Sequence, residues 1–127
     1  MYKFSKRSMI NLSQAHKDLQ ILFNEVIKCR DIAVICGHRG EKAQMEAFNN
    51  GFSMVKYPDS KHNKLPSLAV DVTPYPIDWN NIGRFEELGE FVLMKAKKLK
   101  EAGKIYSNIG WGGNWKKFKD YPHYEIA

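Results

Sequence analysis

The 127 residues are predicted to form one small α+β domain, on three observations. Apolar residues recur at helical spacing in two separated stretches, and short β-branched runs stand between and after them. No linker, internal repeat or low-complexity tract divides the chain, which at this length buries roughly two thirds of its unfolded surface around one core.

Leu12, His16, Leu19, Leu22, Phe23, Val26 and Ile27 repeat at helical spacing, and Ser13 is a suitable N-cap, which predicts a helix over residues 13 to 29. DIAVIC, residues 31 to 36, reads as a buried strand stopped by Gly37, so GHRG stands at a strand end just before a helix. That helix, EKAQMEAFNN, is expected to stop at Gly51. Residues 52 to 67 contain Pro58 and Pro66 and read as a long surface loop, a length that in compact domains commonly carries function. LAVDVT is the second strand. Phe85, Leu88, Val92, Ala96 and Leu99 form one face of a helix over about 81 to 102, ended by Gly103, with Lys95, Lys97, Lys98 and Lys100 on its solvated face. IYSNIGW, a turn at GGN, and YPHYEIA return the tail to strands.

The formal net charge of +6 favours an anionic partner without choosing among nucleic acid, membrane surface and cell-wall polymer. Cys29 and Cys36 are too few to form a disulfide framework and are expected as reduced thiols. No apolar run approaches the ~20 residues that span a bilayer, and MYKFSKRSMINLSQAHKD lacks a segment of signal-peptide length. Synthesis in a cytoplasm is therefore expected, with release depending on another factor.

Among the four histidines, His16 lies on an amphipathic helical pattern and reads as structural. His38, beside Arg39, could line a cleft, but no second ligand stands near it at suitable spacing. His62, Asp71 and His123 differ, because His and Asp are the ligand types of catalytic zinc sites, which take three protein ligands and leave one position open. Asp71 raises the question most sharply, since a carboxylate inside the apolar run LAVDV is costly to bury uncompensated. Asp120 precedes His123 by three residues, and Pro122 biases Tyr121 toward an extended conformation. Glu125 shares a strand face with His123 and reads either as the carboxylate that fixes its imidazole or as a surface acid. Trp111, Trp115, Tyr121 and Tyr124 could shape a cleft or pack in the core, and Trp79 with PYPIDW reads as a structural turn. No short-spaced pair such as HExxH is present, so spacing alone leaves the metal reading open.

SKH, then AVDVTPYP, then DYPHYE, with GHRG upstream, resembles the M15 family of zinc-dependent peptidoglycan peptidases in motif order and over most of the chain. The resemblance implies an antiparallel sheet packed against helices with a zinc site on the sheet, the hedgehog/DD-peptidase type of fold. It implies zinc held by His62, Asp71 and His123, Asp120 as catalytic base, Arg39 as a catalytic and substrate-binding contact, and Ser60 near the substrate. It further implies a monomeric L-alanyl-D-glutamate endopeptidase of the phage or prophage endolysin type. Such an enzyme would be made without a signal peptide in the host bacterial cytoplasm and reach the peptidoglycan through a separate holin.

A D-Ala-D-Ala carboxypeptidase or dipeptidase is the alternative activity. A catalytically silent wall-binding zinc module would need neither Asp120 nor Arg39. The lysine-rich helix lacks base-reading or stacking motifs, so neither nucleic acid nor membrane insertion is expected. Two departures from the family pattern are His38, in place of an aromatic, and a longer His62 to Asp71 segment whose NKLPSL is expected to shape the cleft.

Overall fold

The structure, a computed structural model, describes residues 2–127. In place of one helix over 13 to 29 there are two, α1 (Lys6–Ser13) and α2 (Lys17–Val26). The Ser5 hydroxyl caps α1 by accepting from the Ser8 N–H, whereas Ser13 ends α1 with its own hydroxyl turned back to the Ile10 carbonyl at 2.6 Å. The interruption has a tertiary cause. The His16 N–H donates to the Ser67 carbonyl at 2.8 Å and the Ser67 N–H to the Gln14 carbonyl at 2.9 Å, so residues 14 to 16 pair with a distant segment and leave the helix. His16 then caps α2, its Nδ1 accepting from the Asp18 N–H at 3.0 Å. Leu12, Ala15, Leu19, Leu22 and Phe23 are all buried, so the apolar repeat runs unbroken across a break that only the backbone records.

The remaining elements follow the expected order: β1 (Ile32–Cys36), α3 (Glu41–Asn49), β2 (Ala69–Pro74), α4 (Ile82–Glu101), β3 (Ile109–Trp111) and β4 (His123–Ile126). The residues after α3 and α4 lead into Gly51 and Gly103, both at positive φ, as expected for helix stops. The loop before β2 carries a 3-10 turn at Lys61–Asn63, and another turn, Gly112–Asn114, follows β3. Among the described residues no helix is long and apolar enough to cross a membrane.

The strands form one antiparallel sheet in the order β1-β2-β4-β3, which makes β2 and the C-terminal β4 the central pair. Side-chain alternation divides its two faces. Val34, Val70, Val72, Trp111 and Tyr124 turn to the core beneath α2 and α4, where Tyr124 meets Phe23 edge to face at 5.3 Å. Asp71, His123 and Glu125 alternate with them and stand on the opposite face. A bulge between Val34 and Cys36 sets Cys36 rather than Ile35 opposite Asp71.

Asp18 fastens the chain beyond α4 to α2: its Oδ2 accepts from the N–H groups of Tyr106 (3.0 Å) and Ser107 (2.9 Å) and from the Ser107 hydroxyl (2.7 Å). Burial alone would raise this carboxyl, but the hydrogen bonds from Ser107 and Tyr106 outweigh it and hold it below its usual range. A depressed folded-state value contributes stability above the ordinary carboxylate pKa and loses it as pH falls through the folded value. Asp18→Ala should therefore cost about 2 kcal/mol at neutral pH, and the gap to wild type should close in acid. Urea unfolding across pH 2 to 7 measures both, and a constant gap would assign the loss to packing alone.

Candidate active site

Strand register assembles the centre. Asp71 on β2 is the direct partner of His123 on β4 and, past the bulge, of Cys36 on β1, so three side chains stand in a row across three strands. His62 arrives from the loop before β2, on the 3-10 turn. Ser60 caps that turn, accepting from the His62 N–H at 3.2 Å, while Asn63 Oδ1 accepts from the Ser60 N–H at 3.0 Å. The spacing of Ser60 and His62 in SKH is thus also the spacing of a cap and the residue it orients.

Both imidazoles are fixed by groups that only accept. The Gly37 carbonyl takes His62 Nδ1 at 2.9 Å, and Glu125 Oε1 takes His123 Nε2 at 2.7 Å, so those nitrogens carry the hydrogens. His62 Nε2 and His123 Nδ1 are left facing one oxygen, Asp71 Oδ1, at 3.2 and 3.6 Å. In their neutral forms the two rings aim lone pairs at a carboxylate, an arrangement that only a proton or a cation satisfies. Donors about 2.0–2.1 Å from one zinc ion stand roughly 3.3 Å apart in a tetrahedral site, a spacing that the separation of each ring nitrogen from Asp71 Oδ1 approaches. Two overlapping groups hold ligand atoms within 4.8 Å of one another: Cys36 with His62 and Asp71, and Asp71 with Asp120 and His123. Among the described residues His62 and His123 share no such group, although their rings stand edge to face at 5.3 Å.

Charge follows the same pattern. Burial alone would lower the pKa of His62, but Asp71 overrides it and pushes the imidazole up to about 10. Burial likewise works against the raised value of His123, which Asp71 and Glu125 sustain. Asp71 itself lies far below the usual carboxylate range despite burial, held there by His62 and His123. A divalent cation taking the place of these protons would release them on binding.

Asp120 and Arg39 reach the same place from loops. The Asp120 N–H donates to the Gly112 carbonyl at 3.1 Å, and a Cβ on Gly112 would lie 2.2 Å from the Asp120 carbonyl oxygen, so only glycine permits the approach. Asp120 Oδ2 comes to 3.9 Å from His123 Nδ1, and burial, then the Asp71 carboxylate, raises its pKa. The Arg39 N–H donates to the His62 carbonyl at 2.8 Å, and its Nη2 lies 3.4 Å from Asp71 Oδ2.

A cleft of about 1130 Å³ opens over these groups. Arg39, Ser60, His62, Asp71, Asp120, His123 and Glu125 line it, with Phe52–Val55 and Trp115–Phe118 among its other walls. The four tail aromatics divide: Trp111 and Tyr124 are core, Tyr121 packs against the core, and Trp115 lines the cleft with its ring 4.9 Å from that of His123.

Three expectations change. Trp79, read as a structural turn residue, stacks on Phe85 and also lines the cleft. NKLPSL does not line it. Leu65 is exposed, while the Ser67 hydroxyl bonds the Gly37 carbonyl at 3.2 Å, so the added length goes into anchoring. His38 is not drawn into the centre, its N–H instead donating to Gln14 Oε1 at 3.0 Å. Sequence reasoning missed Lys61, whose Nζ is 3.0 Å from Glu125 Oε2, although it adjoins His62 in SKH. It also missed Gln44 and the site-facing Cys36, whose only signal was a place at the end of a strand.

The family model for phage L-alanyl-D-glutamate peptidases matches residues 1–126. A curated relative, peptidoglycan L-alanyl-D-glutamate endopeptidase CwlK of Bacillus subtilis (strain 168), is 34% identical over 105 residues, 76% of this chain. The matched stretch spans 60% of that relative's length. The crystal structure of the Serratia marcescens L-Ala D-Glu endopeptidase ChiX is similar with a TM-score of 0.78 and 27% identity, covering 98% of this chain and 90% of that one.

If Glu125 holds the His123 ring in its ligating tautomer, Glu125→Ala should weaken zinc binding about 10- to 100-fold while leaving the circular dichroism spectrum unchanged. Competition titration against a chromophoric chelator measures it, and an unaltered affinity would reduce Glu125 to an ion-pair partner of Lys61.

Proposed function

The chain belongs to the phage L-alanyl-D-glutamate peptidase family, and from that premise we propose that it is a zinc-dependent endopeptidase hydrolysing the L-alanyl-D-glutamate bond of the peptidoglycan stem peptide. The observation that carries the reading is the single carboxylate oxygen of Asp71 faced by two imidazole nitrogens whose other nitrogens are already bonded. Action as a monomeric phage or prophage endolysin, made in the host bacterial cytoplasm and released by a separate holin, belongs to the same proposal.

His62, Asp71 and His123 would hold the metal. Zinc bound there would supply Lewis acidity, polarising the scissile carbonyl and making water acidic near neutral pH. Asp120 is the proton carrier. Its carboxylate lines the cleft 3.9 Å from His123 Nδ1, placed to take a proton from the attacking water and give it to the leaving amine nitrogen. Arg39 offers a planar fork of donors in the cleft, suited to the oxyanion that develops on the carbonyl oxygen or to a carboxylate of the stem peptide. Trp115, against His123, covers one side of the centre and keeps water from that flank. Ser60 serves through its cap, which aims His62.

Purified peptidoglycan digested with zinc-loaded and with chelated protein, followed by mass analysis, should yield new N-terminal D-glutamyl ends only with metal. Release of free D-alanine instead would favour the carboxypeptidase alternative. Asp120→Ala should retain about one zinc per chain yet lose activity; joint loss of metal and activity would make Asp120 a ligand. Arg39→Ala should cost roughly 2 to 4 kcal/mol in kcat/KM at unchanged metal content, and near-normal turnover would make it structural.

A further inference from the structure

Gln44, on α3, is completely buried and its side chain bonds neither His62, His123 nor Asp71, yet every hydrogen-bonding position of its amide is used. Oε1 accepts from Arg39 Nη1 at 3.1 Å and from Asn63 Nδ2 at 3.2 Å. Nε2 donates to the Ser53 hydroxyl at 2.9 Å and to the Val55 carbonyl at 2.8 Å. Two lone pairs and two hydrogens are thereby spent. The donors on one side and the Val55 carbonyl on the other fix which way the amide faces.

The partners on the two sides do different things. On the oxygen side, Gln44 fixes one nitrogen of the guanidinium whose other nitrogen lies 3.4 Å from Asp71 Oδ2, and it holds Asn63, which completes the cap of the turn carrying His62. On the nitrogen side it fastens Ser53 and Val55, the backbone from which Phe52, Met54 and Val55 rise as an exposed apolar wall of the cleft. A guanidinium on a flexible stem loses rotamer freedom when one edge of its fork is pinned. A buried, fully paired amide is a rigid pin, because losing any one partner strands a polar group away from water.

We propose that Gln44 is a positioning residue that sets Arg39 and the Ser53–Val55 wall as one unit, so that the surface gripping the substrate and the cation acting on it hold a fixed separation. The proposal rests on the peptidase reading above. It makes two separable demands, a wall whose loss weakens binding and a guanidinium whose misplacement slows turnover.

A soluble stem peptide containing the L-alanyl-D-glutamate bond serves as the probe, with zinc content and melting temperature recorded for each variant. Ser53→Ala, at the loop end of the network, should raise KM about three- to ten-fold with kcat within two-fold of wild type. Gln44→Met, which keeps the volume and removes both sets of bonds, should lower kcat/KM about 100-fold. In an Arg39→Ala background the same substitution should cost only the roughly three- to ten-fold that the wall carries, because the guanidinium it positions is already gone. Equal losses from Gln44→Met in the two backgrounds, or an unchanged KM in Ser53→Ala, would overturn the inference while leaving the peptidase reading intact. Failure of the wild-type protein to cleave the peptide would overturn the peptidase reading itself.

Discussion

One carboxylate, Asp71, sets the terms for everything around it. It lies on a central strand between buried Val70 and Val72, with little of its side chain in water. A charge so placed must be met by other charges or by a metal. The sheet supplies the answer by register, bringing His123 from β4 beside it, and the loop before β2 supplies His62. Because Gly37 and Glu125 have already taken the outer nitrogens, neither imidazole can turn away to pair elsewhere. Both rings are left with their remaining nitrogens turned to that carboxylate.

Two kinds of support divide the site. Asp71 and His123 sit on adjacent strands, and His62 on a capped turn bonded to the end of β1, so the charged centre is as rigid as the sheet. Asp120 and Arg39, to which proton transfer and substrate contact are assigned, come from the turns just before β4 and just after β1. Each is tied down by backbone rather than by ligation: Asp120 through Gly112, Arg39 through the His62 carbonyl. The two supports meet at Arg39, whose N–H is bonded to the His62 carbonyl and whose guanidinium lies against Asp71.

The same division explains what could be read from the sequence. His62, Asp71, Asp120 and His123 were legible because ordered motifs carry them, and Asp71 also because a carboxylate inside the apolar run LAVDV demands a compensating partner. β2 and α4 were legible from pattern alone. The break between α1 and α2 was not, because Leu12, Ala15 and Leu19 keep their period across it and its cause, Ser67, lies some fifty residues along the chain. Gln44 was invisible for a related reason. In EKAQMEAFNN a glutamine is an ordinary helix residue, and only the fold shows that it is buried among four partners.

The longer His62 to Asp71 segment bears on where bond choice resides. Its position between His62 and Asp71 suggested an effect on the cleft, but its hydrogen bonds run to the scaffold instead. Ser67 bridges Ala15, its hydroxyl reaches the same Gly37 carbonyl that takes His62 Nδ1, and Leu68 N–H closes back on the Lys61 carbonyl at 3.0 Å. The segment thus braces the imidazole from behind and draws residues 14 to 16 out of the helix to do so. The cleft is lined instead by Phe52–Val55 and Trp115–Phe118, with Lys116 and Lys117 beside exposed aromatic and apolar surface. A stem peptide presents both carboxylates and apolar side chains, and a rim that alternates cation and ring can meet both. On the peptidase reading proposed above, bond choice is then assigned to these two loops, since the segment between His62 and Asp71 spends polar groups on the scaffold.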